Sequence, residues 1–201
     1  MVIVTILVGN LTCLSSVSLS RRVGSFAIVF AAPLLPPLPR PFGADARPAG
    51  RSMVDLIEED HQLLRRLRAG GEPDVFVACL VRHLSAEAQY LYPTARRVLR
   101  SGPRLADAAL ALDRILLRAP LAREVLDAHL SLGLHHKLSR VLPEHDLIRL
   151  GNRVQVAQEA APTRPHPSAP DTPPLNKLVD PALGVVDKVR DVLSRRTTWP
   201  Q

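Results

Sequence analysis

His83 and Glu87 stand four residues apart, a spacing that sets both side chains on one face of a helix, one above the other. Phe76, Leu80 and Leu91 share that stripe, so the face is apolar. Burying an unpaired carboxylate there costs several kcal/mol, on the order of what a small domain can spare, so Glu87 should meet a protonated imidazole, another cation or a metal ion. His61 has the same kind of inward position between Ile57 and Leu64, with Glu58 three residues before it. His129 and His136 lie seven apart, two turns along one helix face. A single histidine on an apolar stripe is more often a hydrogen-bonded core residue than a ligand. Its recurrence on three helices carries the metal reading: four imidazoles and one carboxylate suit iron, zinc or manganese. His135, His145 and His166 lack that placement and read as structural or exposed.

The elements that must position these residues are all helical. Val54, Ile57, His61, Leu64 and Arg68 recur at three- and four-residue steps, which predicts a helix from Met53 to about Ala69, stopped by Gly70-Gly71. A second begins at Asp74 as N-cap and is ended or kinked by Pro93. Leu105, Ala109, Leu112 and Leu116 form a third, wholly apolar stripe. A fourth helix runs from Pro120 in its first turn to Pro143, with Ala122, Val125, His129, Leu132, His136 and Ser139 on one face. No strand pattern competes. Short connections favour antiparallel neighbours, so the expected fold is all-α, an up-and-down four-helix bundle over residues 53–161, with 144–161 an extra helix. Residues 162–201 form a Pro-rich tail that ends in a short amphipathic segment, where Leu183, Val186, Val189, Val192 and Leu193 are spaced to dock back onto the body.

With 201 residues the chain holds one core. Lysine and arginine number 26 against 19 acids, but residues 1–52 alone carry five arginines and only Asp45, so the rest is nearly balanced. Only three basic residues are lysine and 3% of residues are aromatic, too few for base stacking; no nucleic-acid partner is expected. Cys13 and Cys79 imply no disulfide framework, and Cys79 on its apolar stripe reads as a reduced, buried thiol. Residues 1–20 are too often interrupted by polar residues for a membrane helix, and no membrane partner is expected. Arg21-Arg22, the apolar run after them and Ala44-Asp45-Ala46 resemble a twin-arginine export signal. The apolar run is broken by prolines, which favours Met53 as the true start, residues 1–52 as a dispensable extension and a cytoplasmic protein.

Three segments carry a family resemblance: Asp55-Leu-Ile-Glu-Glu-Asp-His61, His83-Leu-Ser-Ala-Glu87-Ala-Gln-Tyr-Leu-Tyr-Pro93 and Val141-Leu-Pro143. Together with the tail they make the chain similar, from Met53 nearly to its end, to the bacterial haemerythrin-like (HHE cation-binding) family. The resemblance implies a non-haem iron site of one or two ions that meets O₂, NO or peroxide as a carrier or sensor. His61, His83 and Glu87 match its pattern residue by residue. The second half departs from it: the third stripe has no histidine, with Asp113 its nearest polar residue, and Gly133 and Lys137 stand where a second His-x-x-x-Glu belongs. His129 and His136 flank that gap, so the expected site is reduced or mononuclear. The alternative is a metal-free helical interaction protein that uses its tail as the contact surface. An enzyme with turnover ranks last, because no acid or base beside an open position is identifiable.

Overall fold

The computed structural model describes residues 49–200. The twin-arginine-like stretch, its Ala-x-Ala sequence and Cys13 lie outside the described residues. The regular structure of the described chain is all helical, with no strand among the described residues. In order come α1 (Met53–Gly70), α2 (Pro73–Ala86), a π-helical segment (Glu87–Leu91), α3 (Tyr92–Val98), α4 (Gly102–Arg118), α5 (Arg123–Leu130), α6 (Leu134–Ser139), α7 (Glu144–Ala160) and α8 (Asn176–Ser194). Helix α1 packs on α2, α6 and α7; α4 packs on α3 and α5, and α8 on α7.

Ser52 caps α1, its hydroxyl accepting the Val54 N–H at 3.1 Å, and Gly71 closes that helix in the left-handed conformation that glycine adopts freely. Helix α2 starts at Pro73 rather than from an Asp74 cap; proline suits a first turn because the missing N–H would be unpaired there anyway.

Pro93 does not end the second helix. The backbone winds through it as α2, the π segment and α3, and the Tyr92 N–H bonds to the Glu87 carbonyl, five residues back. A wider turn just before the proline makes room for a ring that would otherwise strike the preceding turn. The expected fourth helix is two shorter ones. Its first turn begins at Arg123, beyond Pro120, and Gly133 sits at φ 59°, which breaks helical phase between α5 and α6. Residues 129 and 136 therefore do not share a face.

Two apolar clusters fill the interior. One gathers Met53, Ile57, Leu91, Tyr92, Leu138 and Val154; the other gathers Leu64, Phe76, Leu80, Leu116 and Leu126. His61 falls between Ile57 and Leu64, and His83 and Glu87 between Leu80 and Leu91, so the polar groups lie where the clusters meet.

The terminal segment does dock, but by its polar side. Asp180 accepts from Ser85 Oγ at 2.5 Å and Gln89 Nε2 at 3.1 Å, while Asp187 accepts the backbone N–H groups of Thr163 and Arg164 at 3.1 and 3.0 Å. Asp191 takes the Arg164 guanidinium at 2.7 Å and the Thr163 hydroxyl. These contacts satisfy N–H groups that the Pro-rich stretch cannot pair within itself. Gly184 lets the helix come this close: a Cβ there would stand 2.1 Å from the Ala160 carbonyl oxygen. Of the apolar residues expected to dock, Leu183 is half-buried, while Val186, Val189, Val192 and Leu193 are left exposed.

Candidate metal centre

His61 from α1, His83 from α2, Glu87 at the start of the π segment and His129 near the end of α5 converge in the interior, all buried. Their donor atoms lie within 4.8 Å of one another. Glu87 Oε1 is 4.0 Å from His61 Nε2 and 3.6 Å from His83 Nε2, and Glu87 Oε2 is 3.3 Å from His129 Nε2. His83 and His129 face each other through Nε2 atoms 3.3 Å apart, so at most one proton lies between them. Donors about 2.1 Å from a common centre stand about 3.0 Å apart at right angles and about 3.4 Å apart at tetrahedral angles. The shorter separations are of that size, as expected of side chains able to share one small cation.

Behind two of the imidazoles sit carboxylates. His83 Nδ1 is 3.2 Å from Asp60 Oδ2, which also accepts from Gln158 of α7. His129 Nδ1 is 3.0 Å from Asp113 Oδ1, close enough for an ion pair although not aligned as a hydrogen bond. A carboxylate behind each ring favours the N–H at Nδ1 and leaves Nε2 to face the centre, the arrangement that metal-binding histidines commonly have. The Tyr92 hydroxyl lies 2.7 Å from Glu87 Oε2 and 2.8 Å from Asp113 Oδ2; its one proton serves one of them at a time. It reaches Glu87 from five residues on, along the register that the π segment provides. An Arg68–Asp127 ion pair of 2.6 Å ties α1 to α5 two residues before His129.

Burial and charge set the protonation. Burial alone would raise the Glu87 pKa, but the charges of His83 and His129 outweigh it and hold this carboxyl below the usual range. Burial would likewise lower the His129 pKa, yet Glu87 and Asp113 push it up to about 10. Burial and the neighbouring His129 oppose the charged form of His83, and Glu87 with Asp60 raises it, but the Nε2–Nε2 contact lets only one of the two rings carry a proton there at a time. His61 goes the other way: burial and the neighbouring His83 lower it to about 2. Burial raises the Asp113 carboxyl. His61 is thus a neutral imidazole, and its buried Nε2, 4.0 Å from Glu87 Oε1, has no hydrogen-bond partner. That unpartnered nitrogen, with one anionic and three imidazole donors, fits a divalent transition metal; a cation entering here replaces the proton that His129 carries at Nε2.

His136 does not join the four. Its side chain is 56% exposed, and it stands with Glu58 and His135, whose Nε2 atoms lie 3.5 and 3.4 Å from Glu58 Oε2. These three make a second group with donor atoms close enough to hold an ion. His135 lies neither on the surface nor off the interior: it is buried, its ring centroid 5.0 Å from that of His61. The turn at Gly133 rotates α6 so that 135 faces inward and 136 outward. His145 and His166 stay away from the site, His166 beside Asp187 in the tail. The residues that sequence reasoning left without a role here are Asp60, Tyr92 and Asp113. Asp60 was visible next to His61, and Asp113 as the polar residue nearest to an apolar stripe. A small cavity lined by Glu87, Tyr92, His129, Leu132 and Gly133 opens beside the centre.

No protein-family model, curated protein or solved structure matches the chain.

Proposed function

We propose that this protein binds non-haem iron at His61, His83, Glu87 and His129, as one ion, in a haemerythrin-like up-and-down bundle, and responds to O₂, NO or peroxide as a carrier or sensor. The observation that carries the reading is the convergence of these donors from separate helices, with carboxylates behind two imidazoles and an unpartnered His61 Nε2 among them. Iron bound there would supply a redox-active Lewis acid able to take up a small oxidant. The protein's own part is to hold Nε2 of each ring toward the centre, keep Glu87 ionised, and hold bulk water away with Leu91, Leu132 and Leu134. The cavity beside Glu87 and His129 is the approach for a diatomic ligand. Glu87 and His129 are taken as ligands and the Tyr92 proton is held between Glu87 and Asp113, so a carrier or sensor is the better reading than an enzyme.

The test is elemental analysis of protein purified without chelators, together with an ultraviolet-visible spectrum in air. About one iron per chain, lost when His83 and Glu87 are both changed to alanine, supports the proposal; no metal after anaerobic reconstitution with ferrous iron sinks it. The metal-free interaction protein would then be the better reading, and the exposed apolar side of α8 favours it.

A further inference from the structure

Helix α8 carries its polarity inside out. Asp180, Asp187 and Asp191 are buried against the body and the Pro-rich stretch. Leu178, Val186, Val189, Val192 and Leu193 are 48 to 81% exposed. These are five of the ten large apolar side chains exposed among the described residues, so the apolar surface concentrates on this one helix. At 100° per residue the five span about 120° of arc, opposite the line of Asp180, Gly184 and Asp191. The charged side chains at the rims of that stripe are all basic: on one side Lys177, laid over the Tyr90 ring, and Lys188, donating to the Glu159 carbonyl, are held by the body, while Arg190 on the other side and Arg195 just past the helix are exposed. All three acids of α8 point the other way.

That charge pattern selects the occupant. A second copy of α8 laid against this face would bring basic rims together with no carboxylate to pair them. An anionic lipid surface meets both halves of the pattern: the acyl boundary takes the apolar stripe and the lipid phosphates take Arg190 and Arg195. We propose that α8 is a surface-binding amphipathic helix that lies flat on an anionic bilayer and holds the body against it. It does not span: no helix among the described residues is long and apolar enough to cross a membrane. The proposal departs from the expectation, drawn from the sequence, that the protein has no membrane partner. The inference makes no use of the metal reading and survives its failure.

The full-length chain is sedimented with vesicles of equal parts phosphatidylglycerol and phosphatidylcholine, and with vesicles of phosphatidylcholine alone. The expected result is binding to the first, roughly tenfold weaker binding to the second, and release at roughly 0.5 M salt. Val189→Asp lowers binding roughly tenfold, since it puts a charge in the middle of the stripe. Val189 faces outward, so the substitution leaves the packed side of α8 untouched; Arg190→Glu acts at the rim and weakens binding in the same direction. No binding to either vesicle overturns the proposal, as do both variants binding as tightly as the unaltered chain. A dimer seen by light scattering, dissolved by Val189→Asp and indifferent to vesicles, overturns it in favour of a second copy.

Discussion

Changing Glu87 to glutamine keeps the volume of the side chain and removes the only negative charge among the four central donors. If the unaltered protein is held at a metal concentration one hundred times its Kd, binding adds about 2.7 kcal/mol to stability. For a chain of this length each kcal/mol moves Tm by about 2–4 °C, so the metal should raise Tm by about 5–11 °C. Loss of a direct ligand should weaken binding by at least the upper end of the 10- to 100-fold range seen when an outer partner is removed. At a hundredfold weaker Kd the same metal concentration contributes only about 0.4 kcal/mol, an increment of about 1–2 °C. Metal-free E87Q also starts lower, because the His129 imidazolium loses its partner; taking the difference with and without metal removes that offset. The assay is thermal melting with and without ferrous iron under anaerobic conditions, repeated with zinc. An increment in E87Q equal to that of the unaltered protein would refute the reasoning, since Glu87 would then be a buried ion-pair partner and not a ligand.

Two further outcomes follow from the contacts around this centre and in the tail. Asp113→Asn takes away the charge behind His129 and should weaken metal binding by about 10- to 100-fold without changing its stoichiometry, read by titration against a chromogenic chelator; an unchanged Kd would make Asp113 a packing residue only. The Asp191 carboxyl is held below its ordinary value of 3.8: burial works upward, and the Thr163 hydroxyl with the Arg164 and Arg196 charges outweighs it. A depressed folded pKa adds stability above the ordinary value that is lost as pH falls through the folded one. The difference in Tm between the unaltered protein and Asp191→Asn should therefore stay constant from neutral pH to about 5 and close progressively below about 4. A gap that persists in acid would show that the charge is not what holds the tail.

What the sequence made legible is local. His61, His83 and Glu87 were readable as inward residues because three- and four-residue spacing reports directly on one helix face, and each of these residues lies within an unbroken turn. His135 and His136 were assigned the wrong way round because that inference assumes continuous phase, and the left-handed Gly133 interrupts it three residues after Leu130. Pro93 was read as an end or a kink because proline breaks an α-helix; a π turn before it lets the helix run on, and no residue spacing announces such a turn. The face of α8 could not be read at all. An apolar stripe argues for burial on average, but here the aspartates find N–H donors in a Pro-rich segment remote in sequence, and only the tertiary fold brings them together. Asp60 and Asp113 are of the same kind: their types were visible, while the rings they stand behind belong to other helices.

The π segment can also be viewed as a matter of chain length. It holds one residue more than the α-helix that would otherwise join His83 to Pro93, and the wider turn absorbs that residue. Rewound as a plain α-helix with the same residues, the stretch would carry Tyr92 away from Glu87 by about a quarter of a turn. Removing one of Ala88, Gln89 or Tyr90 together with the π turn would instead leave the tyrosine four residues from Glu87 in an ordinary α-helix, still on the same face. Glu87 and Tyr92 therefore depend on how the stretch between them is wound as much as on what its residues are.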